Sequence, residues 1–327
     1  MMKALVFNEK GKAEEVLKFQ SINYTTLQHN EVAIKTIASP INPNDFMFIE
    51  KQYRLTPSFP QIAGFEGCGF IIENNGDNEF PVGSLVAFRY KNVWAERVNI
   101  PKEKLILLPT NFPIDKAAQL SLNPLTAWAL LEQSEAKSGE WIILSAGTSA
   151  VSKLIIQFAK QKGIKTIVVV RENHQIGKLK LLGANLVITD TNINEIKNYI
   201  VTNINNEVLK CFFDAVGGEL ASKIIPCLSA NGKVICYGIL SNEIVSYHNS
   251  TVVFKLINIV GFGIDNWIAN QPKEELKTIW EQIIKQLSSD NFKMDVSCRF
   301  SLTEFKTAIE KSKTTTNGKV LFCINEN

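Results

Sequence analysis

The segment Ser145-Ala146-Gly147-Thr148-Ser149-Ala150-Val151-Ser152 has the residue types and spacing to hold a phosphate. It follows the apolar run Trp141-Ile142-Ile143-Leu144. It leads into Val151, Leu154, Ile155, Phe158 and Ala159, which share one face of a helix. Small side chains in such a turn let the backbone approach a pyrophosphate. The helix N-terminus adds free N–H groups and the positive end of a dipole. Gly147, Thr148, Ser149, Ala150 and Val151 are therefore candidate contacts to a dinucleotide. Ala150 and Ser152 stand where a full fingerprint has glycine, so an ordinary strand-to-helix turn is the competing reading.

A second chemical feature lies 24 residues after Gly147, where the run Thr166–Val170 ends in Arg171. An acid near this place accepts hydrogen bonds from the ribose 2′-hydroxyl of NAD. Arginine presents a planar fork suited to a 2′-phosphate, which points to NADP(H). The competing reading is a solvated strand-end charge paired with Glu172.

The surrounding pattern supplies elements to position these residues. From about residue 120, apolar runs alternate with helical stretches. Strands are expected at 141–144, 166–170, 186–188, 208–213 and 233–237. Helices are expected from 151 to Gly163, over 175–182 up to Gly183, near 193–204 and over 219–228. The alternation predicts βαβ units and a parallel sheet covered on both faces. The first ~115 residues instead carry short β-type runs (3–7, 32–37, 69–72, 85–88) punctuated by Pro, Asn and Gly, and predict a mostly-β domain. Near the end, Leu276, Ile279, Trp280, Ile283, Ile284 and Leu287 mark an amphipathic helix. Ser301-Leu302-Thr303-Glu304 is a capping box for another, and 319–324 reads as a closing strand.

Composition bounds the rest. With 327 residues, 45% of them hydrophobic, the chain has apolar material for a core or two. Lys plus Arg number 35 against 32 for Asp plus Glu, too small an excess for a dedicated nucleic-acid binder or a polybasic membrane anchor. The most apolar stretch, 252–264, is interrupted by Lys255, Asn258 and two glycines, which argues against a spanning helix. The N-terminal apolar stretch is too short for a signal peptide, so the cytoplasm is the expected compartment. None of the six cysteines lies within eight residues of another and there are three histidines, so no local zinc spacing is visible. Cys211 and Cys236 sit in apolar runs and are expected as small buried hydrophobes, and disulfides are not expected.

The sequence resembles the medium-chain dehydrogenase/reductase superfamily over nearly its whole length. The stretches that carry the match are Asn42-Pro43-Asn44-Asp45, Gly64-Phe65-Glu66-Gly67-Cys68-Gly69, the turn at 145–152, and Phe213-Asp214-Ala215-Val216-Gly217-Gly218. The resemblance implies a Rossmann doubly wound parallel sheet within a split, GroES-like mostly-β catalytic domain. The expected division is 1–118, 119–265 for the NADP-binding domain, and a return to the first domain over 266–327. Phe65 stands where the zinc branch has a histidine ligand, and no cysteine occurs in 39–45. The resemblance is thus to the zinc-free branch, quinone oxidoreductases and 2-enoyl thioester reductases, with no metal expected. Leu122-Asn123-Pro124-Leu125-Thr126-Ala127-Trp128, Val169-Val170-Arg171, Val253-Phe254-Lys255, Gly261-Phe262 and Trp267 look more like the enoyl reductases.

The function this implies is NADPH-dependent reduction of the C=C bond of an α,β-unsaturated acyl thioester carried by CoA or acyl carrier protein, a step of fatty acid metabolism. Tyr53 matches the proposed proton donor, and a phenol with a pKa near 10 can donate at neutral pH. A packing aromatic is the alternative. Asn42, Thr126, Tyr237, Gly238, Phe262 and Lys319 join the candidate cofactor contacts, while Trp128 and Trp267 are candidates for an acyl pocket. Asn42 and Asp45 also suit a plain turn, Glu66 reads as structural, and Trp128 and Trp267 equally suit a core. An NADPH:quinone oxidoreductase is the alternative enzyme, and a non-catalytic cofactor-binding protein the second alternative. Partners are expected to be a small-molecule substrate and a second copy in a homodimer, with Lys233–Tyr237 and Asn258–Phe262 as candidate sheet edges.

Overall fold

A computed structural model describes residues 1–190 and 195–325. The chain divides into two units, Met1–Pro124 with Trp280–Asn327, and Leu125–Ile279. Both boundaries fall inside helices, Asn123–Gln133 and Lys273–Leu287, later than the expected 118 and 265. Helical hydrogen bonding carries the chain past each change of composition.

The first unit begins with β1 (Met2–Phe7), β2 (Lys18–Ile22), β3 (Glu31–Pro40), β4 (Gln61–Ile62), β5 (Glu66–Glu73), β6 (Leu85–Arg89), β7 (Arg97–Pro101) and β8 (Leu105–Leu107). The four expected strands lie in β1, β3, β5 and β6. Among these eight the pairing is antiparallel, and β3 carries β5 and β7 as partners. Aromatic packing closes the core: Phe65 meets Phe48 edge-on at 4.8 Å, and Phe48 meets Phe7 at 5.9 Å.

The second unit contains β9 (Trp141–Leu144), β10 (Lys165–Val170), β11 (Leu186–Thr189), β12 (Leu209–Asp214), β13 (Lys233–Cys236) and β14 (Asn258–Gly261). They form one parallel sheet in the order β11-β10-β9-β12-β13-β14. Numbered within the unit, this is the 3-2-1-4-5-6 order of a doubly wound dinucleotide-binding fold. Ile142, Ile143 and Leu144 are fully buried, as an unalternated apolar strand covered on both faces requires. The helices Ala150–Gln161 and Ile176–Leu182 stop before Gly163 and Gly183. The helix expected near 193–204 is observed as Ile196–Ile204; residues 193 and 194 lie outside the described residues. The helix expected over 219–228 ends at Ile224, and a 3₁₀ turn, Ile225–Cys227, follows because Pro226 has no N–H to donate.

The chain then returns to the first unit with β15 (Val296–Phe300) and β16 (Lys319–Cys323), and β16 pairs antiparallel with β3. The Ser301–Glu304 capping box is present. It opens a 3₁₀ turn that runs into the helix Phe305–Thr314. No helix is long and apolar enough to cross a membrane among the described residues.

Candidate active site

The turn after β9 sits beside the point where strand order reverses between β9 and β12, the place where doubly wound sheets bind ligands. Gly147 is required there: a Cβ on it would lie 2.2 Å from Val168 Cγ1 and 2.8 Å from the Val169 carbonyl oxygen. Its N–H donates to that carbonyl at 2.8 Å, pressing the turn onto β10. Ser149 caps the helix Ala150–Gln161 by accepting from Ser152 N at 3.1 Å. The Ser152 hydroxyl is buried and donates to the Ser145 carbonyl at 3.2 Å, so serine fills the third glycine place by satisfying the helix-to-strand contact itself. The other N–H groups of the first helical turn have no intrahelical acceptor. Thr148, Ser149, Ala150 and Val151 keep partial exposure above them. The turn therefore fits a pyrophosphate.

The end of β12 supports this turn. Asp214 is buried, and its Oδ1 accepts from Val216 N at 3.0 Å, Gly217 N at 2.9 Å and the Ser145 hydroxyl at 3.2 Å. Tyr237 follows β13 and turns its hydroxyl toward Ser152 and Ser149 without completing an aligned hydrogen bond; burial pushes this phenol up to about 12. Gly238 is held by close approach, since a Cβ there would lie 2.6 Å from the Ala215 carbonyl oxygen. Phe262 N donates to the Cys236 carbonyl at 2.8 Å. Arg171 is exposed just past the end of β10, and Thr126 is buried in the first turns of the helix Asn123–Gln133.

The two candidate pocket tryptophans differ. Trp128 is a core residue: it is 5% exposed, meets Phe158 edge-on at 5.6 Å and donates its indole N–H to Glu132 at 2.7 Å. This corrects the acyl-pocket expectation, because its surface is already occupied by core contacts. Trp267 keeps partial exposure on the helix Ile264–Ala269, which has no buried residue. Cys211 is buried as expected, whereas Cys236 at the end of β13 is only partly so.

In the first unit, Tyr53 is partly exposed, packs on Phe65 at 5.7 Å and lies under the Arg54 guanidinium at 5.5 Å. Asn42 is buried and is more than a turn residue. Its Nδ2 donates to Glu66 Oε2 at 2.9 Å and its Oδ1 accepts from the Lys319 ammonium. Asp45 Oδ2 accepts from Asn42 N at 2.7 Å. Burial raises the Asp45 carboxyl to about 7 and raises Glu66 as well, while Asn42 and the Lys319 charge work against burial at Glu66. Burial lowers the Lys319 ammonium, with Glu66 and Asp45 opposing.

Glu66, expected as structural, takes a larger part than the sequence indicated, and Asn123, part of the stretch 122–128, has a feature the sequence did not show. Glu66 is the hub of this cluster, accepting also from Leu122 N at 2.8 Å and the Ser121 hydroxyl at 3.1 Å on Oε1. Asn123 is 8% exposed, and its Nδ2 has no hydrogen-bond partner among the described residues. An orphaned amide on the Asn of the Asn123-Pro124 pair is a cue that only packing reveals. Among the described residues, no three His, Cys, Asp or Glu side chains come together as a metal-ligand set.

Comparison with known proteins agrees with this construction. Residues 28–110 match the alcohol dehydrogenase GroES-like domain, and residues 150–285 match the family described as zinc-binding dehydrogenase. The mitochondrial enoyl-[acyl-carrier-protein] reductase of Xenopus tropicalis is 30% identical over 300 residues, covering 87% of this chain and 82% of its own length. A Mesorhizobium loti structure, whose proposed activity is NADPH:quinone reductase, has TM-score 0.88 at 28% identity and covers 98% of each chain. Two further structures are 27% identical, with 98% of this chain and 99% of the matched chain covered in each. One is the complex of Etr1p with NADP and crotonyl-CoA at TM-score 0.85. The other is the mitochondrial 2-enoyl thioester reductase Etr1p/Etr2p heterodimer of Candida tropicalis at TM-score 0.86. The chain belongs to the medium-chain dehydrogenase/reductase superfamily, whose members use NAD(P)H. Within it, the chain is homologous to mitochondrial enoyl reductases and to NADPH:quinone reductases, an oxidoreductase of one of those two types.

Proposed function

We propose that this protein is an NADPH-dependent, zinc-independent reductase of the C=C bond of trans-2-enoyl thioesters of CoA or acyl carrier protein. The observation that carries the reading is the Gly147 turn at the strand-order reversal, in a chain homologous to enoyl reductases. Gly147 to Val151 hold the pyrophosphate, Arg171 takes the 2′-phosphate, and Tyr237, Gly238, Phe262 and Thr126 shape the remaining surface of the second unit. When bound, NADPH supplies the hydride to the β-carbon of the substrate and leaves as NADP⁺. Negative charge then gathers on the thioester oxygen, and the α-carbon needs a proton. Tyr53 donates it, its partial exposure leaving the phenol accessible and its ring set against Phe65. Asn42 and Lys319 are the candidate cofactor contacts carried by the first unit, and Trp267 the candidate acyl-site residue carried by the second.

The test follows NADPH oxidation with crotonyl-CoA, with a small quinone, and with NADH replacing NADPH. Turnover of crotonyl-CoA with NADPH, lost in Tyr53→Phe while NADPH still binds, is the expected result. Turnover of the quinone alone overturns the thioester assignment in favour of the second reading, for which the Mesorhizobium loti likeness speaks.

We further propose a homodimer joined through β14. Lys233–Tyr237 is corrected as an edge, because β13 is paired on both sides, by β12 and by β14. β14 ends the sheet order and has Ile259 38% exposed. Around it in sequence Phe254, Leu256 and Val253 are 82%, 63% and 62% exposed. An open edge flanked by bare apolar side chains is suited to pairing with its own copy. The cytoplasm is kept as the proposed compartment, although the curated relative is named mitochondrial; subcellular fractionation decides it.

A further inference from the structure

We propose that Glu66 is a positioning residue that orients the Asn42 amide and, through it, aims the Lys319 ammonium. The proposal rests on the reading of Asn42 and Lys319 as cofactor contacts.

The argument begins with what each group is able to do. A carboxylate only accepts and an ammonium only donates. Between them, an amide has one stable orientation: Nδ2 toward Glu66 and Oδ1 toward Lys319, as found. The amide dipole thus lies along the line from anion to cation, and each bond polarises the other. Glu66 and Asn42 are buried at 1% and 2% exposure, and Lys319 alone keeps partial exposure. The relay therefore runs from a carboxylate of the interior to the one residue of the three that reaches the surface.

Glu66 is itself firmly held. Its Oε1 is taken by Leu122 N and the Ser121 hydroxyl, and its own carbonyl accepts from the Ser39 hydroxyl at 2.5 Å. Two segments distant from β5 thus bond this carboxylate, Asn42 just past the end of β3 and residues 121–122, and Asn42 links it to Lys319 at the start of β16. Two charged groups, Glu66 and Asp45, act on Lys319, and both favour its protonated form against burial. Asp45 is bonded to the Asn42 backbone, so Glu66 alone reaches Lys319 through the amide side chain.

The test reads Lys319 directly, without cofactor. The intact protein is acetylated competitively across a pH series, and the protonation midpoint of Lys319 is obtained by mass spectrometry. NADPH affinity is measured in parallel. In Glu66→Gln the midpoint should fall by about one pH unit or more, and the NADPH Kd should rise roughly tenfold. Glu66→Asp should restore part of both. Asn42→Ala leaves Glu66 its bonds to Ser121 and Leu122, and should reproduce both changes if Glu66→Gln fails to fold. Glu73→Gln, an exposed carboxylate paired with Arg97, should change neither. A wild-type protein that binds NADPH normally, with an unmoved Lys319 midpoint in folded Glu66→Gln or Asn42→Ala, overturns the relay alone. A wild type that does not bind NADPH overturns the proposed function and, with it, the relay's purpose.

Discussion

Lys319 and Asn42 stand 277 residues apart in the chain, and the ammonium of one donates to the amide oxygen of the other. Their meeting is made by the pairing of β16 with β3, which sets Leu321 opposite Pro40 and so brings the start of one strand to the end of the other. Sheet register, a backbone property, is thereby what selects the two side chains.

The same cluster gives a pH dependence. The Asp45 carboxyl titrates near 7 in the folded chain, above its ordinary value of 3.8, chiefly because it is buried. Between those values the folded state binds a proton that the unfolded state has released, so stability falls as pH rises through this window. The slope from this group is at most about 1.4 kcal/mol per pH unit. Asp45→Asn removes the titration. Chemical denaturation from pH 4 to 8 should show a flatter stability profile in the variant; parallel profiles would contradict this.

Gly147→Ala places a methyl group against Val168 and the Val169 carbonyl oxygen. The turn must shift, at a cost of about 1–3 kcal/mol. The expected outcome is a lower melting temperature and a loss of NADPH affinity. Unchanged affinity would show that the turn does not carry the phosphates.

Arg171→Ala should raise the Kd for NADPH by roughly tenfold or more and leave that for NADH unchanged, because only the former carries the 2′-phosphate. Equal effects on the two would return Arg171 to an ordinary strand-end charge.

Ile259→Lys puts a charge on the open edge of β14. Sedimentation should find dimer in the wild type and monomer in the variant. A dimer that survives the substitution must use another surface.

The parallel sheet was legible from sequence because its strands are buried on both faces. Trp141–Leu144 needs no alternation and shows none. β2 and β8 were not legible: they are short and half-exposed, and antiparallel pairing rather than their own pattern makes them strands. In the site, the turn at 145–152 announced itself through small residues between two strong patterns. The link between Glu66 and Lys319 did not, although each residue stood out in its own stretch, since it depends on a strand pairing across most of the chain. Trp128 shows the opposite failure, a residue type that suits a pocket and a core equally and is decided by Phe158 and Glu132.

The return of the last segment to the first sheet has a consequence for how the protein is made. β9 to β14 occupy one continuous stretch of chain, so their sheet can close on the ribosome as soon as β14 has left the exit tunnel. β3 emerges much earlier and cannot complete its pairing until β16 has followed. The nascent chain therefore carries an incomplete first sheet, with the end of β3 lacking its β16 partner, while the whole of the second unit is made.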